Sequence, residues 1–318
     1  MYDAPIFNPM TEPDIVALGE PLIEMIKQPS EAGQNAIGQA VYRSGVGGDA
    51  LNALVAAARQ GARTGMISAV GDDMFGHEIV AFCQVEGIDA RGVKTDANHP
   101  TGLVYIDPDP VERRFFYARQ GSAASHMGPD DLPEALIAQA NALHVTGVSL
   151  AISQTMRSAA FRAAEIARSN GTLVSFDLNF REKLWDATEA LPVIEKFLAL
   201  ADIVLPSEDE AATLTGLSMA SDMLRHFGRY GARLVILKRG AAGAVLFDGI
   251  EETEIPATSV KAVDSSGAGD SFGGAFLAHY LETGDPRVAA RHAADAAAAT
   301  VTGWGATASI PRRNATSP

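Results

Sequence analysis

The sequence predicts an α/β fold: a mainly parallel central sheet with helices on both faces and a small β-sheet lid. Three features predict it. Short, continuously apolar runs recur along the chain, as strands buried on both faces require. Longer stretches with helical patterning alternate with them, the arrangement of a parallel sheet. Two regions break that alternation with short strand-like runs and turns, which suits a second, smaller sheet.

The first strand is Ile15-Val16-Ala17-Leu18. Residues 22–44 read as lid strands with turns. A helix over 50–59, a strand over 64–70 and a helix over 75–86 follow. The lid resumes over 101–119, with Thr101-Gly102-Leu103-Val104-Tyr105-Ile106 and Arg113-Arg114-Phe115-Phe116-Tyr117. Strands at 142–146, 172–176, 203–205 and 234–237 then alternate with helices at 152–168, 188–200 and 208–215. The last third is helical over 268–281 and 287–302, and 293–299 is almost all alanine, the strongest helix former. The polar final eight residues are expected to fray. No linker divides the middle and no fixed period repeats, so residues 1–318 read as one domain.

Lys and Arg number 25 against 39 Asp and Glu, a net charge of −14, with 47% hydrophobic and 20% charged residues. This is a globular composition, not a disordered or collagen-like one. The acidic balance argues against nucleic acid or an anionic membrane as partner. Cys83 is the one cysteine, so no intrachain disulfide forms, which suits a reducing cytoplasm. Its apolar neighbours, Ile79 to Phe82, mark it as a buried small hydrophobe. Residues 1–13 are polar with three prolines and show no secretory pattern, and no apolar run approaches the ~18 residues of a membrane span.

The segment Val263-Asp264-Ser265-Ser266-Gly267-Ala268-Gly269-Asp270 carries the chemistry. Glycines 267 and 269 let backbone N–H groups approach a ligand, and a helix starts just behind them. A helix start is an anion site, so a phosphate is a natural occupant. Asp270 either caps that helix or accepts a proton from a hydroxyl attacking the phosphate. The string alone does not decide between them. No Gly-x-x-x-x-Gly-Lys-Ser/Thr loop is present, which excludes a P-loop kinase. The seven histidines lack zinc spacing, and the first strand runs into Gly19-Glu20-Pro21 without the dinucleotide-binding glycines.

This segment, with Ser271-Phe272 behind it, resembles the signature of the ribokinase-like (phosphofructokinase-B type) sugar kinases. Gly47-Gly48-Asp49-Ala50-Leu51-Asn52 is similar to the family's other signature, and lies before the first long helix as expected. The resemblance covers almost the whole chain. Within the family it is nearest the 2-keto-3-deoxygluconate kinases, through Gly19-Glu20-Pro21-Leu22, Thr101-Gly102-Leu103, 116–125, Asp177-Leu178-Asn179-Phe180-Arg181, 207–210 and 237–243. Ser266 replaces a common threonine, Ala118 a common aromatic, Asp295 a common asparagine, and Ser207 the asparagine of ribokinases.

The resemblance implies transfer of the γ-phosphoryl group of ATP to the terminal hydroxyl of 2-keto-3-deoxygluconate. Asp270 is then the general base, and the N–H groups of Gly267, Ala268 and Gly269 stabilise the moving charge. Gly47, Gly48, Asn52, Tyr105, Tyr117, Arg119 and Arg181 bind the sugar, with the two arginines holding its carboxylate. Ser207, Glu210, Lys238, Gly240, Gly243 and Asp295 line the nucleotide site. Mg²⁺ sits among phosphate oxygens with Glu210 as a ligand through water. Asp264 and Ser266 match positions that hold a monovalent cation, often K⁺, in some relatives. The alternatives are a fructokinase, another neutral-sugar or galactonate-epimer kinase, or a non-catalytic sugar or nucleotide sensor. An exposed apolar face on the lid would pair with its copy in a homodimer.

Overall fold

Every apolar run expected outside the lid to be a strand joins one sheet in the computed structural model, which describes residues 12–28, 40–108 and 114–313. Expectations for residues 1–11, 29–39, 109–113 and 314–318 lie outside the described residues. The strands are β1 (Ile15–Leu18), β2 (Leu22–Lys27), β3 (Tyr42–Gly47), β4 (Thr64–Gly71), β5 (Ile88–Asp96), β6 (Leu103–Asp107), β7 (Arg114–Ala118), β8 (Ala142–Thr146), β9 (Leu173–Asp177), β10 (Ile203–Leu205), β11 (Leu234–Lys238), β12 (Ala244–Phe247) and β13 (Glu252–Ile255). The helices are α1 (Asp49–Arg59), α2 (Met74–Glu86), α3 (Ala123–His126), α4 (Glu134–Gln139), α5 (Gly147–Ala151), α6 (Gln154–Ser169), α7 (Ala187–Leu198), α8 (Glu208–Thr215), α9 (Ala220–Gly228), α10 (Ala268–Thr283) and α11 (Pro286–Thr300).

The large sheet runs β13-β12-β11-β10-β9-β8-β1-β4-β5. It is parallel from β11 to β5, with Ile15 of β1 opposite Thr64 on one side and Ala142 on the other. Strands β12 and β13 close one edge as an antiparallel pair. One face packs α6, α7 and α9 around Phe176, Phe197 and Phe227; the other packs α1, α2, α10 and α11 around Leu51, Ile79 and Phe276. All six of these side chains are fully buried, each worth about 1.5–3 kcal/mol of transfer free energy. Cys83 is buried among them on α2, and burial pushes its thiol up to about 12.

Helix α6 starts two residues later than expected, because the Ser153 side chain accepts a hydrogen bond from the Met156 N–H and caps it there. Strand β5 has the sequence IDARGVKTD, too polar to register as an apolar run. It needs less apolar character because it lies at the sheet edge.

The lid is a four-stranded sheet in the order β3-β2-β6-β7. Its third-last strand in that order, β2, pairs parallel with β6, and the other pairs are antiparallel. Strand β3 runs on to Gly47, past the expected limit at 44. Alternation puts Leu22, Val104, Ile106, Phe115 and Tyr117 on the inner face. Tyr42, Tyr105 and Phe116 form an outer aromatic row, with Tyr105 centred 5.9 Å from Tyr42 and 6.2 Å from Phe116.

Helices α1 and α10 meet without a side chain between them. A Cβ at Gly274 would come within 1.9 Å of the Ala53 carbonyl oxygen. Glycine at 274 therefore fixes the spacing of the two helices that carry Asn52 and Asp270.

Candidate active site

A cavity of about 990 Å³ opens between the lid's inner face and the C-terminal ends of the parallel strands. That end is where ligands gather in open α/β sheets. Asp270 lies in the first turn of α10, at the cavity wall. Asn52 Nδ2 donates to Asp270 Oδ2 at 2.8 Å, and Asn179 Nδ2 to Oδ1 at 3.3 Å. Asn179 is held at φ 34°, the left-handed region that asparagine tolerates better than most residues. Burial pushes the Asp270 carboxyl up to about 7, the nearby Asp49 carboxylate adds to this, and the Asn52 hydrogen bond opposes it. A carboxyl titrating there is matched to taking a hydroxyl proton at neutral pH.

Gly267 caps α10 at φ 72°, and a Cβ there would come within 2.4 Å of the Ala306 carbonyl oxygen. Only glycine fits that turn without strain. Gly267 and Gly269 line the cavity mouth at this helix start; Ala268 does not, its N–H donating to the Ser265 carbonyl at 3.3 Å. Lys238 Nζ lies 3.4 Å from where a Cβ of Gly269 would sit, and donates to Asp177 Oδ2 at 2.5 Å. An ammonium thus stands beside the helix start, and the two together form an anion cradle.

Glu210 and Arg181 face each other at 3.2 Å between Oε1 and Nη1. Arg181 Nη1 also donates to the Phe180 carbonyl. The other Glu210 oxygen, Oε2, is buried without a hydrogen-bond partner. Burial raises the Glu210 carboxyl, while Lys238 pulls the other way. A hard oxygen donor left unpaired at the cavity wall fits a hydrated divalent cation.

Several expected site residues meet here. Gly48, Tyr117, Arg119, Ser207, Gly240 and Ser266 line the same cavity as Asp270. Others are placed differently. Tyr105 points away from the cavity, because it sits one residue out of phase with Val104 and Ile106, which face it. Asn52 lines the cavity as well, with its Nδ2 donating to Asp270 and its Oδ1 buried without a hydrogen-bond partner. Gly47 makes room for Glu24, whose Oε1 would lie 2.5 Å from a Cβ at 47. Gly243, at φ 88°, forms the turn into β12 against the Ile255 carbonyl. Asp295, on α11, accepts a hydrogen bond from Thr258 Oγ1 and does not line the cavity. Asp264 accepts the N–H groups of Ser266 at 3.0 Å and Gly305 at 3.1 Å, joining the glycine turn to the C-terminal loop.

The structure also brings in residues given no role from the sequence. Asp49, Asp177 and Asn179 surround Asp270, and Glu20 and Glu24 line the lid side of the cavity. Period-2 alternation in β6 puts Tyr105 on the opposite side from Val104 and Ile106, but does not tell which side faces the cavity. Nothing local could have paired Glu20 with Arg119.

A model of the pfkB family carbohydrate kinases matches residues 12–313. The chain belongs to the pfkB family of carbohydrate kinases. Among curated pfkB relatives, the 2-dehydro-3-deoxygluconokinase of Thermoproteus tenax is 34% identical over 284 residues, covering 86% of this chain and 83% of that protein. Fructokinase-1 of Oryza sativa subsp. japonica is also 34% identical, over 271 residues, 84% of this chain and 83% of that one. A crystal structure described as a putative ribokinase II from E. coli in complex with ATP and Mg²⁺ superposes with a TM-score of 0.85 at 29% identity, covering 94% of this chain and 96% of that one. Among the described residues no helix is long and apolar enough to cross a membrane.

Proposed function

We propose that this pfkB kinase transfers the γ-phosphoryl group of ATP to the terminal hydroxyl of 2-keto-3-deoxygluconate. The observation that carries the reading is the placement of Arg119 and Arg181 on the same cavity as Asp270. A sugar acid needs cations for its carboxylate, and three guanidinium groups, those of Arg119, Arg181 and Arg239, line this cavity of an acidic protein.

Asp270 takes the proton of the acceptor hydroxyl, held by the amides of Asn52 and Asn179. The freed oxygen attacks the γ-phosphorus, the bond from that phosphorus to the bridging oxygen breaks, and ADP leaves. The α10 N–H groups and Lys238 meet the negative charge of the phosphoryl oxygens. Glu210, through Oε2, is the residue that would hold Mg²⁺ by way of water. Bound there, the ion supplies charge neutralisation at the phosphate oxygens. Tyr117, on the lid's inner face, packs on the sugar. Asp264 and Ser266 form the monovalent-cation candidate, and the outer row of Tyr42, Tyr105 and Phe116 is the surface through which two lids pair in a dimer.

The fructokinase reading has support of its own. All three cavity arginines already face internal carboxylates, Arg119 with Glu20, Arg181 with Glu210 and Arg239 with Glu254, so none of these charges requires an acidic sugar. The deciding experiment is ADP release with a panel of 2-keto-3-deoxygluconate, its galactonate epimer, fructose and ribose. Highest kcat/KM on a sugar acid supports the proposal. Highest kcat/KM on fructose overturns it in favour of the second reading.

A further inference from the structure

Glu20 is the most deeply buried carboxylate of the cavity wall, 1% exposed, and the phosphoryl transfer above uses it nowhere. It follows β1, where the chain first leaves the large sheet for the lid. Its Oε2 pairs with Arg119, which follows β7, where the chain leaves the lid for the last time. Ser122 Oγ, three residues further on, donates to its Oε1 at 2.5 Å.

The other two crossings between sheet and lid also close on this residue. At Gly102, before β6, a Cβ would come within 2.6 Å of Glu20 Oε1. At Gly48, after β3, a Cβ would come within 2.4 Å of the Glu20 carbonyl oxygen. All four strands of the lid are therefore attached through segments that touch residue 20. The Arg119 side chain is only 12% exposed, and an arginine that sheltered needs a fixed counter-charge. Glu20 supplies it, and so sets both the direction of the Arg119 guanidinium and the seat of the lid.

We propose that Glu20 is a positioning residue for the acceptor sugar: it anchors the stem of the lid and holds Arg119 against the sugar side of the cavity. The proposal rests on reading that cavity as the sugar site. Glu20 touches neither phosphate cradle nor base, so its loss acts on the sugar and leaves the nucleotide alone.

The test uses E20Q, which keeps the shape and loses the charge, E20D as the conservative rescue, and S122A, which removes one hydrogen bond and keeps the ion pair. The sugar that the wild type turns over is the probe, with ATP varied separately. In E20Q the sugar KM and its calorimetric Kd rise about tenfold or more, the ATP KM stays within about twofold, and E20D recovers part of the loss. S122A shifts the sugar KM in the same direction by about two- to fivefold. Hydrogen exchange in β6 and β7 of E20Q speeds up while that of β8 and β9 does not. Unchanged sugar KM and unchanged lid exchange in E20Q and S122A overturn the proposal, as does a parallel rise in sugar and ATP KM with exchange faster throughout. A wild type that phosphorylates no sugar overturns the reading of the cavity instead, and lid exchange in E20Q and S122A still decides the anchoring role.

Discussion

Arg181 Nη1 stands 3.2 Å from Glu210 Oε1, so a cation assigned to the sugar is paired with an acid assigned to the metal. The two subsites share one ion pair, and a ligand that draws on either partner frees the other. Glu210→Gln is expected to weaken Mg²⁺ activation, with the half-saturating Mg²⁺ concentration rising about tenfold. It is also expected to tighten a sugar acid about two- to fivefold, by releasing Arg181, while a neutral sugar is unaffected. Calorimetry with both sugar types, without nucleotide, measures the second effect. Equal Kd values for wild type and variant with the sugar acid would sink the shared-pair account.

Asp270→Asn is expected to lower kcat by about 10²- to 10⁴-fold. The same change is expected to stabilise the fold at alkaline pH. The folded carboxyl titrates near about 7 against 3.8 for the ordinary group, chiefly through burial. The folded chain therefore holds a proton that the unfolded chain has released. Stability from this group is fully present below the unfolded value and is lost as pH rises through the folded one. At pH 8 the variant's Tm should exceed the wild type's by roughly 3–6 °C, and at pH 4 the gap should close. Thermal melts at both pH values check this, and a variant that melts lower at pH 8 contradicts it.

Asp49 contributes the second-largest push on Asp270, after burial. Removing its charge lets Asp270 ionise at lower pH. Asp49→Asn should shift the acidic limb of the kcat/KM profile downward by about half to one pH unit. The profile is read from pH 5 to 9 with the preferred sugar. A limb that stays in place, or moves up, would show that another group sets it.

Arg59 secures the C-terminal loop that backs the glycine turn. It pairs with Glu86 at 2.7 Å and donates to the carbonyls of Thr307 at 2.7 Å and Ile310 at 2.8 Å. Both side chains of the pair are under 10% exposed, at 9% and 6%. Arg59→Ala leaves two carbonyls without that partner and Glu86 with Arg312 alone, at 2.9 Å, at a cost of about 1–3 kcal/mol. Ala306, which closes on Gly267, loses its support, so ATP KM should rise more than sugar KM. Denaturant unfolding and steady-state kinetics measure the two effects.

The central strands were legible because β1, β4 and β8 are buried along their whole length and are mostly apolar, with Thr64, Ser68, His144 and Thr146 as the buried polar exceptions. Strand β13 was not, because an edge strand needs one apolar face only, and Glu252-Thr253-Glu254 reads as loop; β12, Ala244-Val245-Leu246-Phe247, is largely buried and carries the same apolar signal as the central strands in only four residues. The phosphate cradle was legible because its parts are contiguous, from Asp264 to Asp270. The lid's facing was not. Leu103 and Tyr105 on one side are as apolar as Val104 and Ile106 on the other, so the residue pattern leaves the orientation open. Ion pairs such as Glu20 with Arg119 depend on chain crossings that no local spacing records.

The missing side chain at Gly274 acts as a ruler. Because α1 and α10 touch backbone to backbone there, the amide on one helix and the acid on the other cannot drift apart without opening a gap in the interior. Even one added methyl would wedge the helices, lengthen the reach from Asn52 to Asp270 and loosen the very contact that tunes the acid. Precision at the reacting atoms is thus set one turn down the helix, by an atom that is not there.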